Sequence, residues 1–163
     1  MRKILALALI WLPAVFSACS GQGDETANAA SGGAGLPTVK DADMVIPFAG
    51  VGEKPLFLPA EIMGTKLEVI AVKAPDGTIR LAFNTCQVCY DSGRGYYKLE
   101  GGALVCQNCG NRFSMDRVGV ESGGCNPVPI PREYTTADET GLTIPLDFLN
   151  EAQVIFSQWK NDY

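Results

Sequence analysis

The chain has 163 residues, enough for one ordinary domain with tails, and 47% of them are apolar while 19% are charged. It contains no histidine, which excludes Ser-His-Asp and Cys-His catalytic arrangements, His-ligated haem and every zinc site with a histidine ligand. The net charge of −5 argues against a nucleic-acid-binding surface. An enzyme is not expected, because there is no histidine base and no carboxylate pair stands out.

The N-terminus is typical of an export signal. Arg2 and Lys3 give it a positive start, and residues 4–16 are almost wholly apolar. A membrane-spanning helix needs about 20 apolar residues, so this run is short for a transmembrane anchor. We interpret residues 1–18 as a lipoprotein signal peptide, after which Cys19 becomes the acylated N-terminus. The alternative is an ordinary cleaved signal with an incidental cysteine. Removal of this segment, with its two cations, would change the net charge from −5 to −7.

The segment after the signal is poor in large apolar side chains. Residues 19–42 are rich in Gly, Ala, Ser, Asn and Thr, and such a segment buries too little surface to offset its ordering entropy. We therefore predict a flexible tether at 19–42 and a folded domain at 43–163.

The first part of the domain contains strand patterns. Residues 44–46 and 56–58 predict two short strands. Residues 66–73 are rich in branched side chains, and residues 78–83 alternate apolar and other side chains. The Pro-Asp-Gly sequence at 75–77 lies between these two runs and is typical of a turn. The pattern predicts a β-hairpin.

A second hairpin and a helix complete the predicted fold. Residues 95–99 and 103–105 form the second pair of strands around a glycine-containing turn. Pro145 can open a helix near the C-terminus. Its apolar face would consist of core residues at helical spacing: Phe148, Leu149, Ala152, Ile155, Phe156 and Trp159. We predict a mainly β (small α+β) domain of antiparallel hairpins, with Cys-x-x-Cys knuckles and a C-terminal helix.

Each predicted hairpin is followed by a Cys-x-x-Cys pair. Cys86 and Cys89 follow the first hairpin, Cys106 and Cys109 follow the second, and sixteen residues separate the pairs. This spacing is typical of four-thiolate metal sites, because two tight turns can bring four sulfurs around one metal. A thioredoxin-like pair is disfavoured, since the glycine-rich residues after Cys89 are unsuited to a helix. Two structural disulfides remain the alternative for an exported chain, although such small loops constrain the unfolded state weakly.

Cys125 is a fifth cysteine of the predicted domain and lies in the sequence Gly-Gly-Cys-Asn-Pro. The flanking glycines permit a close approach of the backbone to another group. Cys125 is interpreted either as an additional ligand or redox partner of the four other cysteines, or as a buried inert thiol.

Three cysteine motifs with their neighbours resemble the FtrD-like family of membrane iron–sulfur-containing proteins. The resemblance spans residues 44–160 and is most specific at 72–131. It is carried by Val72–Gly77 (VKAPDG), Ala82–Tyr90 (AFNTCQVCY), Gly95-Tyr96, Val105–Phe113 (VCQNCGNRF) and Gly123–Pro127 (GGCNP). The positions that match the family's cysteines are Cys86, Cys89, Cys106, Cys109 and Cys125. Asn84, Thr85 and Ser114 depart from the family pattern, where Asp, Ala and Pro are expected.

The resemblance implies an iron–sulfur cluster or iron, and a redox or metal-relay role at the extracytoplasmic face of a bacterial membrane. Because some members of the family are associated with ferrous iron uptake, the resemblance also implies a membrane-bound iron permease or redox subunit as the partner. Many relatives carry spanning helices before this domain, so a signal and tether suggest a lipid-anchored accessory protein in the periplasm or at the cell envelope. The alternatives are a binding module with a structural zinc knuckle and a copper-handling protein, with Met115 as a further copper ligand, because tetrahedral thiolate sites suit several soft metals.

Overall fold

The computed structural model describes residues 36–161. The predicted signal peptide, Cys19 and most of the predicted tether lie outside the described residues. Across 36–161, none of the helices has the length and apolar character needed to cross a bilayer.

The described residues form three small sheets and a C-terminal helix. The strands are β1 (Val39–Lys40), β2 (Met44–Pro47), β3 (Leu56–Ile62), β4 (Thr65–Lys73), β5 (Ile79–Cys86), β6 (Tyr97–Glu100), β7 (Ala103–Cys106), β8 (Arg112–Phe113), β9 (Pro127–Pro129), β10 (Thr136–Ala137) and β11 (Gly141–Ile144). The α-helix is α1 (Leu146–Glu151), and short 3₁₀ helices lie at Phe48–Gly50, Tyr90–Ser92, Met115–Arg117, Arg132–Tyr134 and Ala152–Phe156. The mainly β fold predicted from the sequence is confirmed.

The largest sheet contains the first predicted hairpin. Its strand order is β1-β3-β4-β5-β9, and β4 pairs antiparallel with β5 so that Ile70 faces Ala82. Both faces of β4 and β5 are covered, which explains why residues 69–72 of β4 form an uninterrupted run of buried apolar residues. These two strands form a wall between two groups of buried side chains.

We call the first group the sheet core. It contains no cysteine and lies between the large sheet, β2, β11 and the C-terminal helix. Its buried residues are Met44, Ile46, Val51, Ala60, Ile62, Leu67, Val69, Ala71, Leu81, Phe83, Ile130, Leu142, Ile144, Leu149, Ala152 and Phe156.

The second group lies on the other face of β4 and β5, and we call it the cysteine core. It combines apolar and aromatic side chains with three cysteines. Its buried residues are Ile70, Val72, Ala82, Cys86, Cys89, Tyr97, Leu104, Cys106, Phe113 and Val118. Side chains alternate across a strand, so Leu81 and Phe83 enter the sheet core while Ala82 and Cys86 enter the cysteine core.

The second predicted hairpin is also present. β6 pairs antiparallel with β7, which places Tyr97 opposite Cys106, and β8 extends this sheet on the other side of β7. The predicted short strands at 44–46 and 56–58 correspond to β2 and to the start of β3, which continues to Ile62.

The C-terminal helix begins directly after Pro145, and the backbone N–H of Leu146 donates to Asp43 Oδ1 over 2.8 Å. Leu149, Ala152 and Phe156 are buried against the sheet core. The helix is shorter than the apolar pattern predicts, because the chain tightens into a 3₁₀ helix from Ala152 onwards, as often happens at helix ends.

A short strand lies within the segment that the sequence assigns to the tether. β1 pairs in parallel with β3, with Val39 opposite Ala60. The Asp41 carboxylate accepts a hydrogen bond of 2.6 Å from the backbone N–H of Met63. Residues 39–41 are therefore part of the folded structure.

Candidate metal centre

The structure brings all five cysteines of residues 36–161 into one cluster. The sulfurs of Cys86, Cys89 and Cys106 lie within 4.8 Å of one another, and so do the sulfurs of Cys89, Cys109 and Cys125. Cys89 belongs to both groups and joins them. We call these five residues the cysteine cluster. All five are free thiols in the structure, so the alternative of two disulfides is not seen.

The cluster extends from the interior to the surface. Cys86, Cys89 and Cys106 are buried, Cys125 is half-buried and Cys109 is exposed. One group of three sulfurs is thus enclosed by the cysteine core, whereas the other reaches solvent. A metal held by these sulfurs would be shielded on one side and accessible on the side of Cys109.

The first Cys-x-x-Cys turn is held by the loop that follows it. The backbone N–H of Cys86 donates to the carbonyl of Gly95 over 2.6 Å, and the Ser92 hydroxyl donates to the carbonyl of Cys89 over 2.7 Å. A Cβ atom at position 95 would lie 2.2 Å from the Cys89 carbonyl oxygen. Only glycine fits there without displacing the turn.

The second Cys-x-x-Cys turn follows the same plan. The backbone N–H of Cys106 donates to the carbonyl of Asn111 over 2.9 Å, and the N–H of Gly110 donates back to the carbonyl of Cys106 over 2.9 Å. Gly110 has a φ of 73°, a value that glycine adopts without strain. Both pairs therefore consist of a buried cysteine at a strand end and a second cysteine on a hydrogen-bonded turn.

The loop of Cys125 is attached to the other two cysteine motifs. Its carbonyl accepts hydrogen bonds of 2.9 Å from both the Tyr97 hydroxyl and the Asn111 side chain. Gln87, inside the first motif, accepts a hydrogen bond of 2.8 Å from the N–H of Gly123. Cys125 thereby comes within reach of Cys89 and Cys109, and the structure does not place it apart as an isolated buried thiol.

The thiols differ in how readily they ionise. Burial opposes ionisation of Cys86, but the neighbouring Tyr97 hydroxyl and nearby backbone N–H groups lower its pKa below the ordinary value. The backbone N–H of Asn111 lowers the pKa of Cys109. Burial raises the pKa of Cys106 to about 12. Each Cys-x-x-Cys pair thus contains one thiol that ionises more easily than usual.

The two remaining thiols are harder to ionise than usual. Burial raises the pKa of Cys89, and the sulfur of Cys109 raises that of Cys125 to about 12. Five thiolates at these distances would repel one another, and a cation bound between the sulfurs would remove that repulsion.

Asn84 supports the cluster in a way that the sequence analysis did not predict. Its side chain accepts a hydrogen bond of 2.7 Å from the Tyr97 N–H and donates to Glu68 over 2.6 Å. The backbone carbonyl of Asn84 accepts a 2.6 Å hydrogen bond from the indole N–H of Trp159. Asn84 therefore connects β5 to β6, β4 and the C-terminal segment. The available signal was the polar pair Asn84-Thr85, which directly follows the apolar residues 81–83 of β5; both residues are buried in the structure.

Met115 and Arg117 contact the cysteine core and Arg112 is held at the end of β6, and none of the three belongs to the cysteine cluster. Met115 packs against that core as a partly buried apolar side chain. Arg117 pairs with Glu121 and lies 5.1 Å above the ring of Phe113. Arg112 donates to the carbonyl of Glu100 over 2.7 Å.

The donor atoms suit a thiophilic metal. Both groups of ligands in the described residues consist of cysteine alone, and thiolates favour iron–sulfur clusters, zinc and Cu(I) over hard cations such as Mg²⁺. Five sulfurs supply more than the four ligands that a [2Fe–2S] or [4Fe–4S] cluster requires. The residues present therefore fit an iron–sulfur cluster.

Comparison with known proteins gives one match. The family model of the FtrD-like membrane iron–sulfur-containing proteins matches residues 53–156, which include the whole cysteine cluster. Searches of curated proteins and of solved structures found no match. The family match covers well over half of the chain, and the chain therefore belongs to the FtrD-like family of membrane iron–sulfur-containing proteins.

Proposed function

We propose that this protein is a lipid-anchored, extracytoplasmic iron–sulfur protein that transfers electrons or relays metal at a bacterial membrane, in support of ferrous iron uptake. The observation that carries the proposal is the convergence of five cysteine sulfurs within a domain of this family. An iron–sulfur cluster bound there would supply one-electron transfer at a potential set by its ligands and surroundings.

The cysteines have distinct roles in this proposal. Cys86, Cys89, Cys106 and Cys109 hold the metal, because they form the two turns that contain paired thiols. Cys125 serves as a fifth ligand or shields the open side, since its sulfur is close to those of Cys89 and Cys109. Backbone N–H groups of the turns donate towards the sulfurs of Cys86 and Cys106 and spread their negative charge.

The proposed location and partners follow from the N-terminal sequence and the family. Acylated Cys19 would bind the membrane surface, and residues 20–35 would connect it to the domain. The partner would be a membrane-bound iron permease or redox subunit that docks near exposed Cys109, where the cluster is closest to solvent.

Absorption and elemental analysis of the full chain, purified without oxygen, test the metal. We expect broad visible absorption together with iron and inorganic sulfide. Cys109→Ser should reduce both, whereas the control Cys19→Ser should remove the lipid and leave the metal content unchanged. A colourless protein with about one zinc per chain would instead identify a structural zinc site, and bound copper without iron would identify a copper site.

A further inference from the structure

A polar cleft adjoins the cysteine cluster. It has a volume of about 520 Å³, and the residues that matter for its chemistry are Ser92, Arg94, Tyr96, Asn108, Lys160 and Asn161. Small-molecule sites in proteins have volumes of about 300–1,000 Å³, so this cleft is large enough for a small ligand. None of these residues belongs to the cysteine cluster itself.

The lining of the cleft is positively charged although the chain as a whole is acidic. Arg94 and Lys160 both line it, and Lys98, which is not a lining residue, has its ammonium 5.9 Å from the ring centre of Tyr96, which is one. Two of the chain's 13 lysines and arginines thus line one cleft of a protein with net charge −5. A local concentration of cations attracts anions even when the total charge is negative.

The two cations that line the cleft differ in how far they are already neutralised. Within residues 36–161, the guanidinium of Arg94 has no carboxylate at ion-pair distance and no hydrogen-bond acceptor. All the N–H donors of its planar guanidinium are therefore available to a ligand. The Lys160 ammonium lies 3.4 Å from the carboxylate oxygens of Glu68, at a partly exposed site where such a pair is weak.

Aromatic side chains hold Lys160 in position at the cleft. Its ammonium lies 4.1 Å from the ring centre of Trp159 and 5.2 Å from that of Tyr96. Cation–π contacts and the Glu68 carboxylate together limit the freedom of a side chain that would otherwise be flexible. A cation held before the ligand arrives binds an anion with a smaller loss of entropy.

The cleft is connected to the cysteine cluster through Asn108. This residue lies inside the second Cys-x-x-Cys motif, between Cys106 and Cys109, and it lines the cleft. Ser92 also lines the cleft, and its hydroxyl donates a hydrogen bond to the Cys89 carbonyl. A ligand in the cleft would thus contact the second Cys-x-x-Cys turn and the segment that follows the first.

We propose that this cleft is a binding site for a small oxyanion with more than one negative oxygen, such as a di- or tricarboxylate or a phosphate. Arg94 binds two oxygens through its planar guanidinium, Lys160 contributes the second charge, and the amides of Asn108 and Asn161 donate hydrogen bonds. The proposal concerns the cleft alone and does not depend on which metal the cysteine cluster holds.

Calorimetric titration of the full-length protein with citrate and, separately, with inorganic phosphate tests the site. We expect saturable binding of at least one of the two anions, and the one that binds identifies the ligand as a carboxylate or a phosphate. Arg94→Gln and Lys160→Gln should each weaken binding by about tenfold or more, since each removes a charge-assisted hydrogen bond.

Arg132→Gln is the matched control. Arg132 is an exposed arginine that lines a different cleft, so its replacement changes the total charge by the same amount. Binding should be unchanged in this variant.

Arg94 is exposed, so its replacement should leave the fold intact, and unchanged metal content and circular dichroism would check this. If neither anion binds, or if Arg94→Gln and Arg132→Gln weaken binding equally, the proposal is refuted.

Discussion

The two faces of the β4–β5 wall are built by different chemistry. On one face, the sheet core is closed by apolar side chains from strands and from the C-terminal helix. On the other face, three of the buried side chains are cysteines, whereas the sheet core contains none. The sheet core can be stabilised by burial alone, whereas the cysteine core also depends on whatever binds its sulfurs.

Magnitudes indicate how much this difference matters. A structural zinc site contributes about 10–16 kcal/mol of apparent binding free energy in small domains, and a whole domain is typically stable by about 5–15 kcal/mol. A metal bound by these sulfurs would therefore determine whether the cysteine core stays folded. The same metal would affect the sheet core only through the shared strands.

The first and largest expected effect is loss of the metal through Cys106→Ser. Cys106 is buried between β6 and β8, so it cannot be replaced by another ligand without moving the strand. We expect a large fall in metal content and faster backbone hydrogen exchange across residues 84–127, with residues 56–73 much less affected. Elemental analysis and segment-resolved exchange measure the two effects.

The control for this variant is Cys19→Ser, which also replaces a cysteine by serine but lies outside the domain. Unchanged metal and unchanged exchange in Cys106→Ser would show that the cysteine core does not depend on a bound metal. Equal loosening of both cores would show that the β4–β5 wall does not separate them.

The second prediction concerns the sheet core. Phe83 is buried there, with its ring 5.8 Å from that of Phe148 and 5.7 Å from that of Phe156. Phe83→Ala should lower the free energy of unfolding by about 3–5 kcal/mol, as expected for a buried aromatic side chain. The metal content of the molecules that remain folded should not change, because Phe83 faces away from the cysteine core.

Urea unfolding combined with elemental analysis of the folded fraction checks this prediction. Val45→Ala is a suitable control, since Val45 is 62% exposed and its truncation should cost little. If the folded fraction of Phe83→Ala loses metal in proportion to its loss of stability, the two cores are energetically coupled.

Sequence patterns predict the two hairpins because their residues and turns agree with each other. Branched residues fill β4, a turn sequence follows it, and alternation resumes in β5. The four cysteines of the Cys-x-x-Cys pairs are equally visible in the sequence, since each pair follows a predicted hairpin, whereas Cys125 adjoins no predicted element. Their convergence needs the long-range contacts between loops, which no local pattern contains.

β9 was not predicted, and its composition explains why. Two of its three residues, Pro127 and Pro129, lack the N–H group that a central strand needs. The strand is possible because it lies at the edge of the large sheet and has only one neighbour, β5. Val128, the residue between the two prolines, pairs opposite Phe83 of β5. The position of Cys125 depends on this strand, which follows it directly.

The third prediction tests the close contact at Gly95. A Cβ atom there would lie 2.2 Å from the Cys89 carbonyl, so Gly95→Ala must displace the first cysteine turn. We expect a cost of about 1–3 kcal/mol and weaker retention of metal against a chelator. Gly52→Ala is the control, because a Cβ atom at Gly52 meets nothing within 4 Å. Equal metal retention in both variants would show that the turn tolerates displacement.

The smallest predicted effect separates the packing role of Tyr97 from its hydroxyl group. Tyr97→Phe keeps the buried ring but removes the donor to the Cys125 carbonyl, which retains its second hydrogen bond from Asn111. We therefore expect a loss of only about 0.5–1.5 kcal/mol in urea unfolding. The hydroxyl also neighbours the Cys86 sulfur, so the visible spectrum of the metal-bound protein should shift. Tyr90→Phe, at an exposed position, should change neither the stability nor the spectrum. An unshifted spectrum in Tyr97→Phe would mean that Tyr97 acts on the cysteine core by packing alone, as Phe113 does.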